Sequence, residues 1–245
     1  MALLLLLLGH LFFSAAVASQ AFLGAPSAYD SDLFLPMEDF DSLSSSEFTT
    51  LKHPEFPSYD VRIKKTRICD EGNGWVLKFL SGSFANEKRS AYTGYIDIEA
   101  RHLFFYFFES RSNPENDDVI LWTNGGPGGS SAIGLLVELG PCKIVGRNET
   151  HYNPFSWSNH SNIIFIDQPI GTGFSYADFG ETVDTAEAAA IDIAAFLAIF
   201  FEHFTKFKGN AFHFAGESYA GRMLPVFAST LYDQNAHLKE VGMTP

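Results

Sequence analysis

Cysteine is nearly absent: two in 245 residues, too few for a disulfide scaffold and in no metal-ligand spacing. In an oxidising compartment Cys69 and Cys142 have two options, each other or cysteines in sequence outside this chain. Positive charge is also scarce. Sixteen Lys and Arg against twenty-nine Asp and Glu leave a formal charge of −13, which argues against nucleic acid as a partner. Past the first residues no apolar run is long enough to cross a bilayer, and no internal repeat appears. Nothing in the chain implies a cofactor or a metal.

What is present begins with "MALLLLLLGHLFFSAAVASQ". The apolar core Leu3 to Val17, followed by Ala16-Val17-Ala18, reads as a signal peptide over residues 1–18. Only Met1 and Ala2 precede the leucines, so the usual positive n-region is missing. A membrane anchor is the rival, but Gly9 and His10 interrupt a run already shorter than the ~20 residues of a span. Residues 19–69 then read as an acidic propeptide or flexible segment. From Ser19 to Asp60 eight acids face one lysine, so this stretch carries −7 of the −13 and leaves −6 for the rest. The tripeptides "NET" at Asn148 and "NHS" at Asn159 are N-glycosylation acceptors. With the leader they place the chain in the secretory pathway, in a vacuole or outside the cell, with no membrane association once the leader is removed. Oligomeric state is left open.

Residues 70–245 alternate between apolar strands and amphipathic stretches. "WVLKFL", "YTGYIDI" and "HLFFYFFES" read as consecutive strands, with turns at "SGSFANEKRS" and around Glu99, an antiparallel opening to a sheet. "DVILWT", "NIIFIDQ" and "AFHFAG" are runs of the kind buried on both faces. Between the last two, "TVDTAEAAAIDIAAFLAIFFEHF" is helical, with Thr182 as N-cap and Asp184 and Glu187 in the early turns. Alternating strand and helix predicts an α/β fold with a mixed, mostly parallel sheet and helices on both faces.

In "AFHFAGESYAGRMLP" a strand ends at Gly216 and a helix starts near Tyr219, which sets Ser218 on the bend between them, a nucleophile-elbow context. The bend aims the hydroxyl out of the sheet edge at a helix N-terminus, where free amides favour a developing anion. The strict Gly-x-Ser-x-Gly pattern is broken by Ala220. "LWTNGGPGGSS" follows a buried strand directly, and its glycine pair lets a backbone amide face the nucleophile. A plain glycine-rich turn before a helix is the other reading of that segment.

Together with "FIDQPIGTGFSY", "SAYTGYIDI", "HLFFYFFESRSNP", "ELGP" and "NPFSWSN", in that order, these segments resemble the serine carboxypeptidase family of α/β-hydrolases, from about Asp70 to Thr230. The resemblance is nearest to plant type III enzymes and to the group containing yeast carboxypeptidase Y. It implies a serine-type carboxypeptidase that releases C-terminal residues from peptides and proteins through an acyl-enzyme. By that resemblance Ser218 is the nucleophile, and the amides of Gly126 and Tyr219 form the oxyanion hole. Trp122, Asn124, Gly125, Glu138 and Glu217 recognise the terminal carboxylate. Two carboxyls brought close cannot both ionise cheaply. A protonated one donates to the substrate carboxylate, and an acidic optimum follows. Gly129 replaces the family's cysteine and Arg222 its histidine. A carboxypeptidase-like acyltransferase is one alternative, although those proteins carry aspartate before the serine where this chain has Glu217. A non-catalytic secreted fragment is another.

The superfamily order is serine, acid, histidine, and only Asp233 and His237 follow Ser218 as candidates. They are placed at or beyond the end of the next helix, roughly 20 to 27 Å away at ~1.5 Å per residue. His213, on the preceding strand, reads as structural. The expectation is an α/β-hydrolase truncated after its elbow and the helix that follows.

Overall fold

The computed structural model describes residues 42–69, 91–147, 149–178 and 180–243. The leader, "WVLKFL" with the turn after it, and Asn148 lie outside the described residues. One sheet organises the rest. Its strands are β1 (Thr49–Leu51), β2 (Tyr59–Thr66), β3 (Ala91–Ile98), β4 (Arg101–Phe108), β5 (Val119–Thr123), β8 (Asn162–Ile166), β9 (Tyr176–Ala177) and β10 (Phe212–Gly216). The order β1-β2-β3-β4-β8-β5-β10, with β9 beside β4, is antiparallel from β1 to β8 and parallel from β8 through β5 to β10. Two further strands, β6 (Cys142–Gly146) and β7 (Glu149–Tyr152), form a separate hairpin.

The central strands are apolar on both sides because both sides are covered. In β5 and β8, Val119, Leu121, Ile164 and Ile166 enter one core, with the helices α1 (Ala186–His203) and α2 (Ala220–Glu240). Trp122, Ile163 and Phe165 enter a second core on the opposite face, with Leu135 of the π-helical turn Gly134–Glu138. Alternation at period two thus distributes each strand between two cores.

The expected acidic segment 19–69 needs correction at its C-terminal end. β1 and β2 lie inside it and pair into the sheet, and Leu43, Leu51, Val61 and Ile63 are buried in the core. The physical reason is the alternation in "DVRIKK": Val61 and Ile63 point inward while Arg62 and Lys64 point outward, a half-buried strand that net charge conceals. The α1 N-cap is also shifted. Thr185, rather than Thr182, accepts from Ala188 N at 3.1 Å, so Asp184 precedes the cap and Glu187 occupies the first turn. Asp192, buried on α1, takes Arg101 Nη1 at 2.9 Å and the Tyr59 hydroxyl at 3.0 Å, which joins helix, β4 and β2. Burial raises its pKa, and Arg101 opposes the rise.

The cysteines pair with each other: Cys69 and Cys142 are bridged with Cα atoms 5.2 Å apart and 73 residues between them in sequence. Closing a loop of that size removes unfolded-state entropy worth about 4 kcal/mol in the chain-entropy model.

Where the chain leaves β1, His53 is 4% exposed and its Nδ1 accepts from Glu55 N at 3.1 Å. Nearby His203, at the end of α1, bonds the Lys52 carbonyl through Nε2 at 2.8 Å. Burial drives the His53 pKa down to about 4; Glu202 opposes this, and His203 and Lys208 add to it. Burial lowers His203 as well. The unfolded chain therefore binds a proton that the folded one refuses between pH 6.5 and 4. Stability is full above pH 6.5 and falls as the pH drops toward 4, by on the order of 3 kcal/mol from His53. Urea midpoints measured across that window should fall less steeply in His53→Gln than in the parent, and parallel profiles would remove His53 as the cause.

Candidate active site

The site is built at the carboxyl ends of β5 and β10. Their register pairs Trp122 with Ala215 and Thr123 with Gly216, so Asn124 and Glu217 leave the sheet side by side. Ser218 follows with φ 56°, a left-handed conformation that a non-glycine residue adopts only at a cost of order 1 kcal/mol or more. The turn is enforced from two sides. A Cβ on Gly216 would stand 2.5 Å from Thr123 O and 2.7 Å from Ala220 Cβ, and one on Gly125 would stand 2.7 Å from both Glu217 O and Tyr219 N. Ala220 itself is accommodated because the close approach falls on Gly216. A Cβ at Gly221 would meet nothing within 4 Å.

Gly125 is thus wedged under the elbow, its Cβ position 3.0 Å from that of Ser218. Gly126 has φ 120° and a cis bond to Pro127, and Gly128 has φ 90°. Gly129 N closes the turn onto Gly125 O at 2.8 Å. Among the described residues the amides of Gly126 and Tyr219 make no backbone hydrogen bond.

Asn124, 3% exposed, has its amide orientation fixed by its neighbours. Trp122 Nε1 (2.8 Å) and Gly134 N (3.1 Å) both donate to its Oδ1, which leaves Nδ2 to donate to Glu217 Oε1 at 3.0 Å. Trp122 is buried and meets Trp157 edge-on at 5.5 Å. Ser218, Glu217 and Tyr219 are exposed at the rim.

Trp122, Asn124, Gly125, Gly126, Glu217, Ser218 and Tyr219 are therefore brought together. Glu138 stands at the end of the π-helical turn whose first residue bonds Asn124, and among the described residues no hydrogen bond joins it to Glu217. Arg222 is exposed in the first turn of α2. Asp233 and His237 lie inside α2 rather than at or beyond its end, because the helix accommodates Pro225 near its start and runs on to Glu240; His237 approaches Glu55 at 4.0 Å. His213 pairs with Asp118 at 2.9 Å. Asn159 is held by its side-chain amide, which accepts from Arg111 Nη1 at 2.8 Å and donates to Pro154 O at 2.7 Å.

Three supporting residues went unread in the sequence. A Cβ on Gly134 would lie 2.3 Å from Trp122 Nε1, so only glycine admits the Trp122–Asn124 hydrogen bond. Ser131 Oγ accepts from Asn124 N at 3.1 Å and donates to Ile166 O at 2.6 Å. Asp167 accepts from Ser131 N at 2.8 Å. Only the small-residue run "GGSSAIG" hinted at such crowding.

A family model described as serine carboxypeptidase matches residues 83–243. The chain belongs to the serine carboxypeptidase family. Similar members include carboxypeptidase Y of Komagataella phaffii, 44% identical over 182 residues, covering 74% of this chain and 32% of the relative. Carboxypeptidase Y homolog A of Fusarium vanettenii is 49% identical over 160 residues, covering 63% and 29%. Carboxypeptidase Y of Schizosaccharomyces pombe is 42% identical over 223 residues, covering 90% of this chain and 21% of the relative. The chain spans about a third or less of the length of these family members. Among solved structures, a prohormone-processing carboxypeptidase of Saccharomyces cerevisiae, Kex1Δp, superposes with TM-score 0.53 at 26% identity, covering 79% of this chain and 40% of that one. The α/β-hydrolase fold of the family is thus the fold of this chain. Among the described residues no helix is long and apolar enough to cross a membrane.

Proposed function

We propose that this chain is the nucleophile-bearing N-terminal portion of an acid-active serine carboxypeptidase of the secretory pathway, acting on peptides and proteins with a free C-terminus. The observation that carries this reading is Ser218 at φ 56° beside an Asn124 amide aimed at Glu217. Ser218 Oγ attacks the last peptide carbonyl and forms an acyl-enzyme, with the amides of Gly126 and Tyr219 receiving the oxyanion. Asn124 and Glu217, with Gly125 and Trp122 behind them and Glu138 nearby, receive the terminal carboxylate. Asn124 occupies one Glu217 oxygen and leaves the other for the substrate's terminal group. The base and its orienting acid come from the remainder of the domain. Residues 1–18 are proposed as the signal peptide, and the propeptide reading is confined to the stretch before the core begins at Leu43. Asn148 is the proposed glycan acceptor. Asn159, whose amide is already engaged, is a weaker substrate for that modification.

The test is hydrolysis of a blocked dipeptide with a free or an amidated C-terminus by the complete enzyme. Cleavage of the free acid alone is expected, with the preference for acid flattened in Glu217→Gln, since an amide donates at every pH. Equal cleavage of both substrates, or an unchanged pH profile in the variant, removes the carboxylate clamp from the reading.

A further inference from the structure

Between Asn124 and Ser130 the chain is Gly-Gly-Pro-Gly-Gly. Its four glycines give such a loop wide backbone freedom, restricted only where Pro127 fixes φ, and almost no side chain with which to hold itself. Its shape depends on what grips its ends. The upstream end is Asn124, fixed through Trp122, Gly134 and Ser131. The downstream end is gripped by one carboxylate. Asp167 Oδ1 accepts from Ser130 Oγ and from Ser131 N, both at 2.8 Å. Asp167 Oδ2 accepts from Phe174 N at 2.9 Å.

This carboxylate is 3% exposed, and among the described residues no cation pairs with it; its partners are amides and a hydroxyl. An anion desolvated without a countercharge is expensive, and geometry is what this one secures. Its own backbone is fixed as well: Asp167 N donates to Phe104 O at 2.9 Å, and its carbonyl accepts from Ser175 Oγ at 2.5 Å. The neighbouring loop is shaped around it. A Cβ on Gly173 would stand 2.1 Å from Asp167 Oδ2, and Gly173 has φ 55°. From Asp167 the path is short: Ser131 N is on the carboxylate, Ser131 Oγ is on Asn124 N, and the Gly126 amide lies in the loop between.

We propose that Asp167 is a positioning residue for the oxyanion hole: by clamping Ser130 and Ser131 it holds the Gly126 amide at the height where the tetrahedral oxyanion forms. This rests on the carboxypeptidase reading above. The Asp167 side chain touches no reacting atom, and its effect is confined to the transition state.

In the complete enzyme, Asp167→Asn keeps the shape but turns one acceptor into a donor facing an N–H. Turnover per active site, counted by fluorophosphonate titration, is expected to fall about 10- to 100-fold with KM within about threefold of the parent, less than the full loss of an oxyanion donor. Affinity for a peptide boronic acid, whose tetrahedral adduct fills the hole, falls by the same factor, while affinity for the product amino acid is unchanged. Ser130→Ala, which deletes a single bond to the same carboxylate, gives a smaller fall of the same kind and serves if Asp167→Asn does not fold. Turnover per titrated site equal to the parent's in whichever variant folds, with any loss confined to melting temperature or titratable fraction, would overturn the proposal. So would equal loss of boronate and product affinity. A parent enzyme that cleaves no C-terminal residue, or cleaves it equally as Ser218→Ala, sinks the carboxypeptidase reading first and this inference with it, without reference to Asp167.

Discussion

Ser218→Ala in the complete enzyme is expected to lose on the order of 10⁶-fold in turnover, the scale seen when a triad nucleophile is removed. Fold and ligand affinity should survive. Alanine keeps the Cβ that rests 3.0 Å from the Gly125 Cβ position, and the strain at φ 56° is the same for both residues. Asn124 and Glu217 are untouched, so product binding measured calorimetrically should match the parent within about twofold. Residual hydrolysis above 1% of the parent would mean that the elbow serine is not the attacking group. Lost product affinity would mean that Ser218 belongs to the clamp.

The second large effect concerns residues 1–245 expressed alone, which should hydrolyse a blocked dipeptide no faster than their own Ser218→Ala variant. Loss of a triad histidine alone costs on the order of 10⁶-fold, and no described histidine is bonded to Ser218. His53 and His203 are buried beside Glu55 N and the Lys52 carbonyl. His102 and His151 bond Asp97 and Glu149, and His213 and His237 face Asp118 and Glu55. His160 follows the 3-10 turn Trp157–Asn159. β10 pairs only with β5 among the described residues, and Tyr232 on α2 is 77% exposed. An open strand edge and an uncovered helix face favour association, so light scattering should report oligomers, and co-expression with the remaining sequence of the domain should restore monomeric, active material. A monomer whose hydrolysis is abolished by Ser218→Ala would mean that a base lies within these 245 residues.

The central strands and the elbow were legible because each rests on local chemistry: a run apolar on both faces, then a glycine where strand and helix converge. β2 was not, since its alternation lies inside a stretch whose net charge dominates a composition reading. The α1 cap was misplaced by three residues because Thr182 and Thr185 offer the same hydroxyl, and only tertiary packing chooses between them. The Cys69–Cys142 bridge and the Asp167 clamp bring together residues far apart in sequence. No window along the chain contains both halves of either: the bridge stood as one of two open options, and the clamp could not be read before the fold was known.

Gly129 N closes the turn after β5 onto Gly125 O, and a Cβ there would sit 2.8 Å from that same oxygen. Its φ is not left-handed, so conformation alone would admit a side chain, and the obstacle is contact with one carbonyl. A side chain at position 129 therefore requires the Gly125 carbonyl to shift, and with it the loop proposed to present the Gly126 amide.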